Sequence, residues 1–174
     1  MELISNLESI SDHKTREYAF TAADFERIKN LIYKHAGISL SSSKQNMVYS
    51  RLARRLRANG FNNFNDYLNF LENGNPAEWE AFTNALTTNL TAFFREQHHF
   101  PILEKHIEKR KNQKKIQLWC SASSTGEEPY SMAMAMVEVF KTFTPPVHIL
   151  ATDLDTNVLA KAQLGIYPLD KLEK

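Results

Sequence analysis

The chain has 174 residues, 43% of them apolar and 24% charged, with a net charge of +1; these values suit a packed globular protein of one domain, or of a small domain and part of another. It contains no run of about 18 apolar residues and no basic-then-apolar leader, so neither a membrane span nor a secretory signal is expected, and the expected location is cytoplasmic. The near-neutral charge excludes a global field drawing the chain onto nucleic acid or membrane, and the single cysteine, Cys120, excludes an internal disulfide.

Residues 1 to about 20 are polar and weakly patterned, which predicts a loose arm. Thr21 with Asp24 resembles a capping box with Asp in the usual Glu place, and Phe25, Ile28, Leu31 and Ile32 recur at helical spacing until Gly37. Ser41, Ser42 and Ser43 offer a cap for a second helix over about 44–59, with Gly60 in the terminating place. Val48, Leu52 and Leu56 form its apolar stripe, while Lys44, Arg51, Arg54 and Arg55 fall on an adjoining face. No aromatic residues are interleaved with these arginines, which disfavours nucleic acid as a partner. A short helix over about 64–71 stops at Asn73-Gly74, and Asn75-Pro76 caps and begins another reaching about Leu86. The first ninety residues read as all-helical.

A polar hinge, Thr87-Thr88-Asn89, leads to a helix over about 98–110, in whose first turn Pro101 is tolerated. Lys109, Arg110, Lys111, Lys114 and Lys115 follow as a basic connector, read either as a solvated loop or as a phosphate site. Strands are expected over about 115–120 and 147–153, separated by a helix over about 127–141 and by Pro145-Pro146. Both strands read as buried on two faces, as in a parallel sheet covered by helices. Asp155-Thr156-Asn157 begins a last helix, stopped near Gly165. These elements predict an arm over 1–20, a helical domain over 21–88 and a βαβα segment over 89–174. The fold class is therefore α/β, a small all-α domain followed by the opening of a Rossmann-like domain.

The stretch from Ile116 to Ser131 has the strand–turn–helix order of a nucleotide cradle. Ala122, Ser124 and Gly126 are small residues at alternate positions, which would let the backbone approach a ligand closely. A single glycine rules out GxGxxG, and the lack of Gly-Lys-Ser/Thr rules out a P-loop. Asp153 stands at the tip of the second strand, where an acid accepts hydrogen bonds from ribose hydroxyls, although a helix-capping role is the plain alternative. Glu127 and Glu128 would repel a pyrophosphate, which counts against a nicotinamide-dependent dehydrogenase, and would attract a cation. S-adenosylmethionine matches, with an adenosine, no phosphate, a sulfonium and an ammonium. His98 and His99 are adjacent and cannot share a helix face, so no metal is expected.

Thr88-Asn89-Leu90-Thr91-Ala92-Phe93-Phe94-Arg95, Ser124-Thr125-Gly126-Glu127-Glu128-Pro129-Tyr130-Ser131 and Ala151-Thr152-Asp153-Leu154-Asp155 together resemble the CheR-type chemotaxis receptor methyltransferases. The resemblance covers nearly the whole chain, including the basic helix of the first domain. It implies a class I methyltransferase domain that moves a methyl group from S-adenosylmethionine to glutamate side chains on the cytoplasmic helices of chemoreceptors, leaving S-adenosylhomocysteine. It places Asn89, Thr91, Arg95, Glu127 and Asp153 at cofactor-site positions, with Arg95 close to the reacting end. Ser123 stands where many relatives have Cys. On this basis Glu127 is assigned to the methionine ammonium, Asp153 to ribose, and Arg95, as the catalytic candidate, to the methionine carboxylate or the incoming glutamate. A salt bridge from Arg95 to Glu96 or Glu127 is the structural alternative. The stripe Lys44, Arg51, Arg54 and Arg55 is the expected receptor contact, weak and salt-sensitive, since exposed pairs give roughly 0.2–1 kcal/mol each.

The resemblance implies a seven-stranded domain, of which two strands are present here. Two strands with both faces apolar would leave surface uncovered, so a fragment, or self-association through the incomplete sheet, is expected. A non-catalytic receptor-binding or regulatory module is the second functional reading.

Overall fold

The computed structural model describes residues 16–171, so the arm expected over 1–20 falls mostly outside the described residues. The chain divides after Leu86 into two compact units.

The first unit holds helices α1 (Ala22–Ala36), α2 (Gln45–Asn59), α3 (Phe64–Glu72) and α4 (Pro76–Leu86). Helix α1 opens on a true capping box: the Asp24 amide donates to Thr21 Oγ1 at 3.2 Å and the Thr21 amide to Asp24 Oδ2 at 2.8 Å. The serine cap expected for α2 is not made. Ser42–Lys44 form a single 3-10 turn instead, and Lys44 takes the N-cap position with no side-chain bond to a helix amide. Asn63 and Asn75 do cap, accepting from the amides of Asp66 and Glu78 at 2.9 and 3.1 Å. The apolar stripes of α1 (Phe25, Ile28, Ile32) and α2 (Val48, Leu52, Leu56) meet Phe64, Tyr67, Leu68, Leu71, Phe82 and Leu86 in one closed core.

The second unit holds α5 (His99–Glu108), β1 (Ile116–Cys120), α6 (Glu127–Phe140), β2 (Val147–Ala151) and α7 (Thr156–Leu164), followed by a 3-10 turn at Leu169–Lys171. The strands are parallel, in register from Ile116 opposite Val147 to Cys120 opposite Ala151, with α6 as the crossover. Helices α5 and α6 pack together, and Phe100, Ile107, Ile116, Ala135, Met136 and Val139 form the core.

The expectation of strands buried on both faces is corrected here. The sheet has one covered face, while Trp119 and Leu150 on the other remain 67% and 53% exposed, beside exposed Gln117 and His148. Continuous apolar sequence implies two-sided burial only when both faces find helices, and among the described residues α5 and α6 supply one layer.

Candidate functional site

The turn between β1 and α6 is held by backbone bonds at the carboxyl ends of the two strands. Thr152 N donates to Cys120 O and Ser123 N to Thr152 O, both at 2.9 Å, which continues the pairing past the ladder. Ser124, at a φ of 48°, turns its amide onto Asp153 Oδ2 at 2.8 Å. Asp153 Oδ1 accepts the Asp155 amide at 2.9 Å. Asp153 thus ties the two strand-end loops together, and each carboxylate oxygen keeps a lone pair for a further donor.

Asp155, singled out from sequence only as a helix start, is an anchor. It is buried, it caps α7 through Asn157 N at 3.0 Å, and its Oδ2 accepts Asn89 Nδ2 at 2.6 Å and the Thr87 hydroxyl at 2.9 Å. Asn89 is therefore positioned from beneath, and the segment it begins is fixed further along, where Phe94 N donates to Ser131 Oγ at 2.9 Å. Phe94 and Glu96 adopt left-handed backbone, with φ of 50° and 53°, and Arg95 lies between them. Its Nη1 donates to Leu90 O at 2.7 Å. The alternative of a salt bridge to Glu96 or Glu127 is not realised among the described residues: Glu96 faces His98 at 3.8 Å and Glu127 pairs with Lys171. Thr91 is half-buried in the same segment.

The two glutamates at the start of α6 part company. Glu127 is fully buried; Thr125 Oγ1 donates to its Oε2 at 2.6 Å and Lys171 Nζ to its Oε1 at 2.7 Å. Burial alone pushes this carboxyl up, but Lys171 and Thr125 outweigh it and hold it below the usual carboxylate range. Glu128 is exposed and lines a cavity of about 300 Å³ together with Arg95, Glu96, His99, Phe100, Trp119 and Met132. The structure thus brings Glu128, not Glu127, together with Arg95. Helical phase is the signal that distinguishes them: Glu127, Ser131 and Ala135 follow at intervals of four on the buried face, whereas Glu128 and Met132 share the cavity face.

The three small residues also differ in what they face. Ala122 is exposed, but Ser124 and Gly126 are buried. Gly126, at a φ of 100°, has no room for a side chain: a Cβ there would overlap the Tyr167 hydroxyl and lie 3.0 Å from Ala162 Cβ. Its smallness serves the packing of the chain's own C-terminal segment. Ser123 is buried as well, and its Oγ has no hydrogen-bond partner among the described residues. Cys120 is a core thiol, pushed up first by burial and then by the charges of Glu128 and Asp153. Among the described residues no His, Cys, Asp and Glu cluster in a metal-binding group, and no helix is long and apolar enough to cross a membrane.

In the first unit the basic face of α2 is not uniform. Lys44 and Arg54 are exposed and Arg51 Nη1 donates to Ala85 O at 3.2 Å. Arg55 grips buried Glu78 through Nε at 3.0 Å and Nη2 at 2.5 Å, while Tyr67 Oη and Asn59 Nδ2 donate to the same carboxylate at 2.7 and 3.0 Å. Arg55 is a buried carboxylate's counter-ion before it is anything else. Burial first, then Glu78, pushes the Tyr67 phenol far above its ordinary value.

A parallel β-α-β opening, an acid fixed at the tip of the second strand and a cavity lined by Arg95, Glu96 and Glu128 are the arrangement of a Rossmann-type domain. Residues 23–87 match the CheR methyltransferase all-alpha domain, and residues 89–174 match the CheR methyltransferase SAM binding domain. The chain belongs to the CheR methyltransferase family. It is 49% identical over 172 residues to the chemotaxis protein methyltransferase of Salmonella typhimurium, covering 98% of this chain and 59% of that protein. The chemotaxis protein methyltransferase of Escherichia coli is 49% identical, covering 91% of this chain and 55% of its own length. For chemotaxis protein methyltransferase 2 of Pseudomonas aeruginosa the identity is 47%, with 91% of this chain and 57% of the relative covered. The chain spans somewhat over half the length of these relatives.

Proposed function

We propose that the chain carries the first part of an S-adenosylmethionine site and of a protein-glutamate methyltransferase acting on the cytoplasmic helices of chemotaxis receptors. The observation that carries the reading is the pairing of Arg95 and Glu128 in one cavity beside a turn tied to Asp153. The residues suit such a cofactor: Glu128 presents a free carboxylate to an ammonium, Arg95 a guanidinium to a carboxylate, and Asp153 two oxygens with spare lone pairs to ribose hydroxyls. Glu127, assigned from the sequence to the ammonium, gives that role to Glu128, because its own oxygens are engaged by Thr125 and Lys171.

S-adenosylmethionine supplies the electrophilic methyl group when bound. A glutamate side chain, with an ordinary pKa of about 4.3, is already a carboxylate at neutral pH, so this chain needs to provide no base. Its residues orient and desolvate instead. Arg95 stays cationic throughout and serves as an electrostatic holder, of the methionine carboxylate or of the entering glutamate, while Trp119 and Phe100 give the cavity apolar walls.

For receptor contact, Lys44 and Arg54 are the exposed cations of the basic face, with Arg51 bound to Ala85 O and Arg55 to Glu78 beside them. Calorimetry with S-adenosylhomocysteine tests the cofactor reading. Micromolar binding that weakens at least thirtyfold on Asp153→Ala, with the fold intact by circular dichroism, is expected. Absence of binding by the unaltered chain, together with retained capture of an acidic receptor helix, would favour the non-catalytic module instead.

A further inference from the structure

The segment after α7, residues 165–171, folds back onto the β1–α6 turn at three consecutive points. Tyr167 Oη donates to Thr125 O at 2.7 Å. The same hydroxyl fills the space that a side chain at Gly126 would need. Lys171 Nζ meets the fully buried Glu127 at 2.7 Å. Tyr167 is itself wedged edge-on between Phe93, 4.9 Å away, and Tyr130, 5.7 Å away, and Phe93 belongs to the segment that carries Arg95. Tyr130 Oη donates to Ala162 O at 3.0 Å, which closes the base of the loop where Gly165 turns left-handed.

We propose that residues 165–171 are a positioning strap for the cofactor turn, with Tyr167 and Lys171 as positioning residues that set the depth of 123–126 and leave Glu128 as the only uncompensated carboxylate at the start of α6. This rests on the reading of that turn as the S-adenosylmethionine site.

Two physical requirements support it. A carboxylate with no exposure needs a counter-charge to stay ionised, and Lys171 is the cation that Glu127 meets. Because Thr125 bonds the same carboxylate, the Lys171–Glu127 pair pulls on the residue immediately before Gly126. Without it, an ammonium ligand would face two neighbouring negative charges with no fixed geometry. With it, one charge is neutralised inside the protein and the other lines the cavity with Arg95 and Glu96. Tyr167, pushed up to about 12 by burial and then by Glu127 and Tyr130, remains a protonated donor to Thr125 O at any working pH.

The test is a cycle of Lys171→Met, Glu127→Gln and the double variant in the full chain, with Lys171→Arg and Tyr167→Phe alongside. Amide hydrogen exchange is read at Ser123, Ser124 and Gly126, and S-adenosylhomocysteine affinity by calorimetry. Lys171→Met is expected to lose at least tenfold in protection at those three amides and at least tenfold in affinity, with β1 and α5 unchanged. The double variant recovers most of both, Lys171→Arg stays within twofold of the unaltered chain, and Tyr167→Phe loses about threefold. Unchanged protection in Lys171→Met, or a loss spread evenly over the unit, overturns the strap. If the unaltered chain binds no S-adenosylhomocysteine while the exchange pattern holds, the cofactor reading fails and the strap survives.

Discussion

In the helical unit, buried Glu78 has three side-chain partners from α2 and α3, no more than 23 residues away in sequence, one of them the core residue Tyr67. In the α/β unit, buried Glu127 depends on a neighbouring threonine and on a lysine 44 residues downstream, in a unit whose sheet leaves Trp119 and Leu150 exposed on one face. The first arrangement fixes a scaffold. The second fixes the turn proposed to receive the cofactor, so the same element, a carboxylate with its cation, is used once within a helical core and once at a loop.

The largest effect that would sharpen this contrast comes from Arg55. Arg55→Met leaves Glu78 buried with hydrogen bonds but no counter-charge, and the helical unit is expected to lose about 2–3 kcal/mol in urea unfolding, below the usual range for a buried pair because Arg55 is partly exposed. The sign with pH follows. Burial raises the Glu78 carboxyl, but Arg55, Tyr67 and Asn59 together bring it below its ordinary value. Its stabilising contribution is therefore complete above about pH 4.3 and lost as pH falls through the folded value. The deficit of Arg55→Met should accordingly shrink below pH 4, and a deficit constant from pH 7 to pH 3 would show that Arg55 acts by packing alone.

A smaller effect of opposite sign is expected in the second unit. Ser123→Ala removes a buried hydroxyl without a partner, and should raise stability by about 1 kcal/mol, read as a higher midpoint of thermal unfolding. A lowered midpoint would mean that the hydroxyl has a role in the turn. Smallest of all, Leu150→Thr on the exposed sheet face should change stability by less than about 0.5 kcal/mol while reducing binding of an apolar dye and any self-association in light scattering. A loss above 1 kcal/mol would mean that this face is covered.

The helices were legible because their signals are local. The Thr21–Asp24 box, the apolar spacing of α1 and α2, and Gly37 and Gly60 as left-handed caps lie within a few residues of what they determine. The serine cap of α2 failed because three serines in a row allow a 3-10 turn that places Lys44, not a serine, at the helix start. Around the candidate site, the strand–turn–helix order itself was legible, and Asp153 lies at the end of the second strand as read, bound to the amides of Ser124 and Asp155. The different surroundings of Glu127 and Glu128 were not legible, since adjacent identical residues are distinguished only by helical phase, and the partner of Glu127 lies far along the chain. Gly126 shows the same limit. A glycine in a turn announces close approach, but not whether a ligand or the protein's own Tyr167 makes it.

The most direct test of the central claim, that Glu128 and Arg95 receive the amino-acid end of the cofactor and Asp153 its nucleoside, compares two ligands by calorimetry. S-adenosylhomocysteine has both ends, and methylthioadenosine has the nucleoside alone. Glu128→Gln is predicted to weaken S-adenosylhomocysteine at least tenfold and leave methylthioadenosine within twofold, whereas Asp153→Ala weakens both. Equal losses for both ligands in Glu128→Gln, or no loss for S-adenosylhomocysteine, would contradict it.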